Sequence, residues 1–357
     1  PLEHPDEVDL DGEVDLTTPE GRRITARPAF ARLREHSAEW TPEAVAEATT
    51  IGVAELESFF ELLSRRGRVA YHSWTGVGQH SNATQTERCI ATLYALLGAC
   101  DRPGGNLWLQ PPPLNPLSPY DLLPPEQREK ALGLRDLPLG PPRLGWVTAR
   151  HFCRAALEGD PYPVRALVSF GNNMTVSQAD GERSRAAIEA LDLYVHTDMF
   201  MNPTAELADY VLPANTPWER EAVRAGFEIT QEAVEYLQFR PRMIDPLGES
   251  RADYEIAVDL ATRLGLGEQF FDGDIRAGWD WHLAPTGGRL DALIDGEHAA
   301  RVPQVTAREK YAVVREDGGV TGFATPTRRV ELYSQQLLEH GYRPLPTFVA
   351  PIDSRRG

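Results

Sequence analysis

Residues 164–214, VRALVSFGNNMTVSQADGERSRAAIEALDLYVHTDMFMNPTAELADYVLPA, constrain the fold more than any other part of the chain. Positions 164–170 are a short apolar, β-branched run that stops at Gly171, the pattern of a buried strand. Positions 184–191 put Ala187, Ile188 and Leu191 on one helical face, and 193–196 read as a second strand ending at Thr197-Asp198. Strand, helix, strand at this spacing is a βαβ unit, whose crossover handedness forces the strands parallel. In open parallel sheets, ligands sit beyond the carboxyl ends of the strands. Here those ends carry Gly171-Asn172-Asn173 and Thr197-Asp198, so one rim gathers accessible backbone, amides, a hydroxyl and a carboxylate. The fold class this implies is α/β.

Charge and cysteine usage exclude several functions. Of 357 residues, 53 are acidic and 36 are Lys or Arg, giving a formal charge of −17. Neutralising phosphates needs a basic stripe, and none is visible, so no nucleic acid partner is expected. No apolar run approaches the roughly 18 residues of a spanning helix, so no direct membrane insertion is expected. Cys89, Cys100 and Cys153 show no C-x-x-C spacing, and the nine histidines form no H-x-x-x-H pair. An iron–sulfur cluster or structural zinc needs clustered ligands, so neither is expected here. Cys89 and Cys153 fall in helical patterns and read as small core residues.

Elsewhere the chain alternates helical patterns with turns. Residues 1–25 are acidic and irregular. Thr41-Pro42 starts a helix, and a second carries Leu56, Phe59, Phe60 and Leu63 and stops near Gly67. Positions 68–74 read as a strand followed by the Gly76-Val77-Gly78 turn. Ser81 or Asn82 caps the next helix, with Ile90, Leu93, Tyr94 and Leu97 as its buried face before Gly98. Residues 101–146, rich in proline and glycine, read as a crossing between two α/β lobes. Positions 146–157 predict a helix, as do 253–264, with Ala257, Leu260, Ala261 and Leu264 inward and Gly265 as the stop. Thr325-Pro326 precedes an expected edge strand at 329–333. No G-x-G-x-x-G follows a strand, which removes support for an ordinary nicotinamide-binding fold.

Four ordered blocks carry a resemblance to a known family. FGNN, HTDMF and NPTAELADYVLPA followed by WERE form the first. YHSWTGVGQHSNATQTERCIATLYALLGACDRPGGN at 71–106, GESRADYEIAVDLATRLGL at 248–266 and GFATPTRRVELYS at 322–334 are the others. Together they resemble the molybdopterin oxidoreductase family of the dimethyl sulfoxide reductase type. The resemblance implies two Rossmann-like lobes with parallel sheets: 1–108 as a partial first lobe and 109–335 as a second bearing the dinucleotide crevice. Residues 336–357 would be an exit segment. It also implies bis-molybdopterin guanine dinucleotide with molybdenum or tungsten, and oxygen-atom or electron transfer on a small substrate. A non-catalytic scaffold relative in a respiratory complex is the alternative. The chain starts at Pro1 and ends soon after the last block, so it is expected to be an internal fragment. The family's metal ligand and cluster cysteines would lie upstream, and its final dinucleotide-binding domain downstream. Partners would be the remainder of the parent chain and an electron-transfer subunit, in a cytoplasmic or periplasmic setting.

The resemblance also names residues. Asp198 would accept both guanine donors, N1–H and N2–H₂, and otherwise reads as a helix N-cap. Gly171 and Thr197 share that motif, and Asn172 falls on a cofactor-binding asparagine or is a turn residue. Thr204 and Asp209 read mostly as packing. Thr75 and Gln79 fall on pterin contacts, Thr75 where members often have methionine. His80 is a candidate for a proton shuttle, or a histidine satisfied within its loop. Arg220 in WERE suits a pyrophosphate or a surface ion pair. Asp253 matches a family position or caps a helix. Arg328 stands where the motif usually has glycine. No metal ligand is expected within this chain.

Overall fold

The computed structural model describes residues 10–351, apart from 67–68, 118–119, 121–122, 227 and 306–307. The chain divides into two compact units, one formed by residues up to Trp108 together with those beyond Val305, the other by Leu109–Val305. Residues 306–335, assigned above to the second lobe, thus group with the first unit. The physical reason is a clasp inside that unit. Lys310 donates to the buried Asp101, and Tyr311 and Phe323 stack on each other with Trp108 set edge-on against both.

In the first unit, β1 (Val14–Thr17) and β2 (Arg23–Ala26) form an antiparallel hairpin within the stretch expected to be irregular. Helices α1 (Ala29–Ser37), α2 (Pro42–Thr49), α3 (Val53–Arg66) and α4 (Ala83–Leu96) follow. Thr41 caps α2 by accepting from Ala44 N, with Pro42 at the first turn, as the sequence suggests. Asn82 precedes α4 but does not cap it; its amide donates to Thr347 O instead. On α3, Leu56 is buried while Phe59 and Phe60 are exposed, and Leu93 of α4 is exposed too. Cys89 is likewise exposed, so it is not the core residue its pattern suggested.

The expected strand at 68–74 is absent from its described part. Gly67, the expected helix stop, and Arg68 lie outside the described residues. A strand needs a neighbour, and this segment meets a side chain instead. Asn106 Oδ1 accepts from Tyr71 N at 2.7 Å and its Nδ2 donates to Tyr71 O at 2.9 Å. One amide answers both backbone groups, and no ladder forms. The edge strand expected at 329–333 is also absent. There Arg328 takes φ +58°, the left-handed conformation that suits the glycine it replaces.

The second unit holds the parallel sheet. After the short α5 (Pro125–Arg128), α6 (Ala149–Glu158) starts later than expected and stops at Gly159, φ +69°. Then come β3 (Ala166–Phe170), α7 (Met174–Ser177), α8 (Gly181–Glu189), β4 (Leu193–Asp198) and β5 (Tyr210–Pro213). Sheet order is β3-β4-β5, all parallel, with Val168 opposite Val195 and Val195 opposite Tyr210. Helices α6 and α8 pack through Cys153, Ala155, Ser184, Ala187 and Ile188, all buried. A second, antiparallel sheet joins β6 (Ala222–Ala225), β7 (Tyr236–Arg240) and β8 (Ala299–Arg301), with α9 (Gln231–Val234) between the first two. Leu237 and Phe239 of β7 form a core with Leu283 of α11 (Ile275–Leu283) and with Leu290 and Leu293 of α12 (Leu290–Asp295).

Helix α10 (Asp253–Ala261) buries Ile256 and Ala261, whereas Ala257, Leu260 and Leu264, expected inward, are exposed. Its axis continues into a wider turn at Thr262–Leu266, where Gly265 takes φ +82°. Ala257 and Leu260 precede that turn; Leu260, with Ile256, borders an open groove against Val168, Val195 and Leu212 of the parallel sheet, which leaves it partly exposed.

Candidate functional site

The carboxyl ends of the parallel strands form one rim. Gly171, at φ +57°, extends the ladder by donating from its N–H to Thr197 O at 2.8 Å. Beyond β5, Ala214 bridges Arg251 in parallel, and Asn215 N donates to Arg251 O. The segment at 251 thus acts as a minimal fourth strand, leading directly into α10. Two strand steps separate β4 from it, about 10 Å.

Asp198 ends β4 with its side chain 14% exposed. Its Oδ1 accepts from Phe200 N at 3.0 Å, an Asx turn rather than a helix cap. Its Oδ2 accepts from Asn202 Nδ2 at 3.0 Å and faces His196 Nε2 at 3.4 Å. Behind it lies a buried polar chain, in which Tyr194 OH is 2.5 Å from His196 Nδ1 and 3.1 Å from Ser169 Oγ. Burial pushes the Tyr194 phenol up from its ordinary value, and the nearby Asp198 charge adds to this.

Asn172 follows β3. Its carbonyl accepts from Asn202 Nδ2 at 3.1 Å, so the exits of β3 and β4 are tied through one residue. Two buried polar atoms at this rim have no hydrogen-bond partner among the described residues: Asn172 Oδ1 and Thr197 Oγ1. Thr204 and Asp209, read as packing, make internal hydrogen bonds. Thr204 Oγ1 accepts from Thr175 N and donates to Asn173 Oδ1, and Asp209 accepts from Tyr194 N.

Arg220 follows the turn Pro217–Glu219, held by buried Glu219 accepting from Thr216 and Leu247. Those bonds, the Thr216 hydroxyl first, hold the Glu219 carboxyl below its usual value. Arg220 Nη1 lies 3.4 Å from Asp253 Oδ2, and its Nε is buried without a partner. Two residues matched to the family separately therefore pair with each other. Asp253 is the first residue of α10, while Ala252 occupies the cap position, so the helix-cap reading does not hold. Beside them, burial pushes the Tyr254 phenol up to about 12, with Glu255 and Glu221 adding to it.

In the first unit, Thr75, Gln79 and His80 are exposed around the tight turn Val77–Gln79. Gly76 and Gly78 both have ordinary backbone angles, and a Cβ on either would meet nothing within 4 Å. Neither backbone strain nor packing within the described residues asks for glycine there. No three His, Cys, Asp or Glu side chains converge on a metal position among the described residues, nor is any described helix long and apolar enough to cross a membrane.

Comparison with known proteins bears on this geometry. A family model described as molybdopterin oxidoreductase matches residues 62–263, more than half of the chain. The chain belongs to the molybdopterin oxidoreductase family. It is 27% identical over 352 residues to acetylene hydratase of Syntrophotalea acetylenica, covering 91% of this chain and 46% of that one. It is 29% identical over 202 residues to the dimethyl sulfoxide/trimethylamine N-oxide reductase of Rhodobacter capsulatus, covering 52% of this chain and 24% of that one. Among solved structures, acetylene hydratase from Pelobacter acetylenicus matches with a TM-score of 0.78 at 24% identity, over 92% of this chain and 47% of that one. That likeness concerns the fold. The chain thus spans about half or less of these relatives. Sequence reasoning passed over Asn202 and His196, although both lie inside the HTDMFMNP stretch. The Asn-Pro step, a turn initiator, was the available signal.

Proposed function

We propose that this chain is the cofactor-cradling part of a molybdenum or tungsten oxidoreductase that uses bis-molybdopterin guanine dinucleotide. The observation that carries this is the rim at Asp198: a carboxylate with acceptor capacity left on Oδ1, at the exit of the strand next to the one that leads into Asn172, whose Oδ1 is unanswered. Guanine presents adjacent N1–H and N2–H₂ donors, which such acceptors suit. Arg220, paired with Asp253 at the start of α10, keeps an Nε without a partner, a donor suited to the phosphates of the same nucleotide. In the first unit, the open space over Gly76 and Gly78 would let a pterin approach beside Thr75 and Gln79. The bound group would supply redox chemistry through its metal and dithiolene sulfurs, for oxygen-atom or electron transfer on a small substrate. This chain's residues bind it, orient it and keep its nucleotide in place. The reading implies the rest of a longer chain as partner, and an electron-transfer subunit to supply or drain electrons.

Calorimetry with guanosine diphosphate tests the reading, because that probe carries both base and pyrophosphate. The chain should bind it in preference to adenosine diphosphate. Asp198→Ala should weaken binding by about one to two decades, the worth of a charge-assisted hydrogen bond of roughly 1.5–3 kcal/mol. Equal affinity for the two nucleotides would refute the guanine assignment.

A further inference from the structure

Asn202 uses its side chain completely. Its Oδ1 accepts from Thr204 N and from Ala205 N, both at 3.0 Å. Its Nδ2 donates to Asn172 O at 3.1 Å and to Asp198 Oδ2 at 3.0 Å. An asparagine amide has two donors and two acceptor directions, and all four are engaged.

The two halves of this residue have different explanations. Accepting from N–H groups two and three positions onward is ordinary turn capping, which Asp, Ser or Thr performs about as well. Donating twice is something only an amide can add. Those two donors go to the residues that leave β3 and β4, Asn172 and Asp198. Pro203 follows, restricting the backbone of Asn202 to extended conformations and so fixing where the amide projects.

We propose that Asn202 is the positioning residue of the nucleotide crevice, locking the Asp198 carboxylate to the backbone of Asn172. This rests on the guanine reading of Asp198. With Oδ2 held by Asn202 and backed by His196, and Oδ1 turned by Phe200 N, the carboxylate keeps one rotamer. Its free acceptor direction lies on Oδ1. The ligand then meets an acceptor that is already oriented and pays little ordering cost on binding.

Two variants separate this role from turn capping. Asn202→Ser keeps an acceptor for Thr204 and Ala205 and withdraws the donors. Asn202→Asp keeps the acceptor and the shape but turns a carboxylate towards Asp198. Affinity for guanosine diphosphate is measured by calorimetry between pH 7.5 and 5, and folding by thermal melting. Asn202→Ser should weaken binding about tenfold. Asn202→Asp should weaken it further at pH 7.5 and regain affinity as pH falls. Two adjacent carboxylates raise the pKa of the pair, and the introduced carboxyl becomes a donor once protonated. His196 and Asp198 are the titratable groups facing position 202, so the recovery is scored against the profiles of wild type and Asn202→Ser, which lack the introduced carboxyl. A merely structural role would give no such recovery. Wild-type affinity in Asn202→Ser, or no recovery in Asn202→Asp, overturns the proposal. A crystal structure of each ligand-free variant that folds supplies an independent reading. The Asp198 carboxylate should rotate away from its wild-type position, and a carboxylate that stays in place also overturns it. A wild-type chain that binds no guanosine diphosphate would instead refute the guanine reading, leaving the rotamer to decide the role of Asn202.

Discussion

Asp101→Asn is the sharpest test of how the first unit holds its loops. Asp101 is fully buried and accepts from Trp108 N at 3.0 Å, Lys310 N at 2.8 Å and Lys310 Nζ at 3.0 Å. Burial pushes its carboxyl up, but the two backbone N–H groups and the Lys310 ammonium outweigh that and hold it below the usual value. Asparagine has the same shape and tolerates the φ of +50° found here, so the backbone is not disturbed. What is lost is the charge opposite a Lys310 side chain that is 22% exposed and keeps one bond, to Trp108 O. One backbone bond is lost as well, since the amide NH₂ faces either Trp108 N–H or Lys310 N–H. Breaking a buried pair costs about 3–5 kcal/mol, and the remaining bond and exposure reduce this to about 2–3 kcal/mol. The sign with pH follows from the lowered pKa. The contribution is present above the unfolded carboxyl value of about 3.9 and fades as pH falls through the folded value. Urea titrations followed by tryptophan fluorescence should show the variant less stable at pH 7, with a gap that narrows at pH 3. A gap that stays constant or widens on acidification would refute the argument.

Two further predictions concern backbone and composition. Arg328→Gly relieves a left-handed residue, worth about 1–2 kcal/mol, against the greater unfolded-state entropy of glycine, about 0.5–1 kcal/mol. Stability in urea should therefore rise by about 0.5–1 kcal/mol, and a loss of that size would mean that the Arg328 side chain contributes a contact of its own. Because the cysteines are unclustered, the purified chain should retain no stoichiometric iron or zinc after chelation and desalting. Elemental analysis checks this, and one bound equivalent of either metal would count against it.

Legibility followed local self-sufficiency. The βαβ unit was readable because its strands are short β-branched runs ended by Gly171 and Asp198, each with a parallel partner nearby in sequence. The Thr41-Pro42 start was readable because capping is a three-residue event. Failures occurred where a distant partner decides the outcome. The face of α10 was misjudged because Leu260 borders an open groove against the parallel sheet, which a helical period does not reveal. Phe59, Phe60 and Cys89 sit on helical faces left open in this unit. At the rim, sequence identified Asp198 and Asn172 but not the residue that ties them, because a side chain bridging two strand exits leaves no periodic trace.

The amide of Asn106 has a consequence for how such a protein can diversify. It takes the place of a neighbouring strand for Tyr71, so the backbone of that residue, on the approach to the Thr75–Gln79 turn, is held by a side chain rather than by a ladder of backbone bonds. A ladder resists revision, because shifting it by one residue turns every side chain over. A single clip does not. Substitution at one position can lengthen, retract or re-aim this turn while every sheet keeps its register, including the one that ends at Asp198. The turn is thereby free to be retuned without renegotiating the core of its own unit.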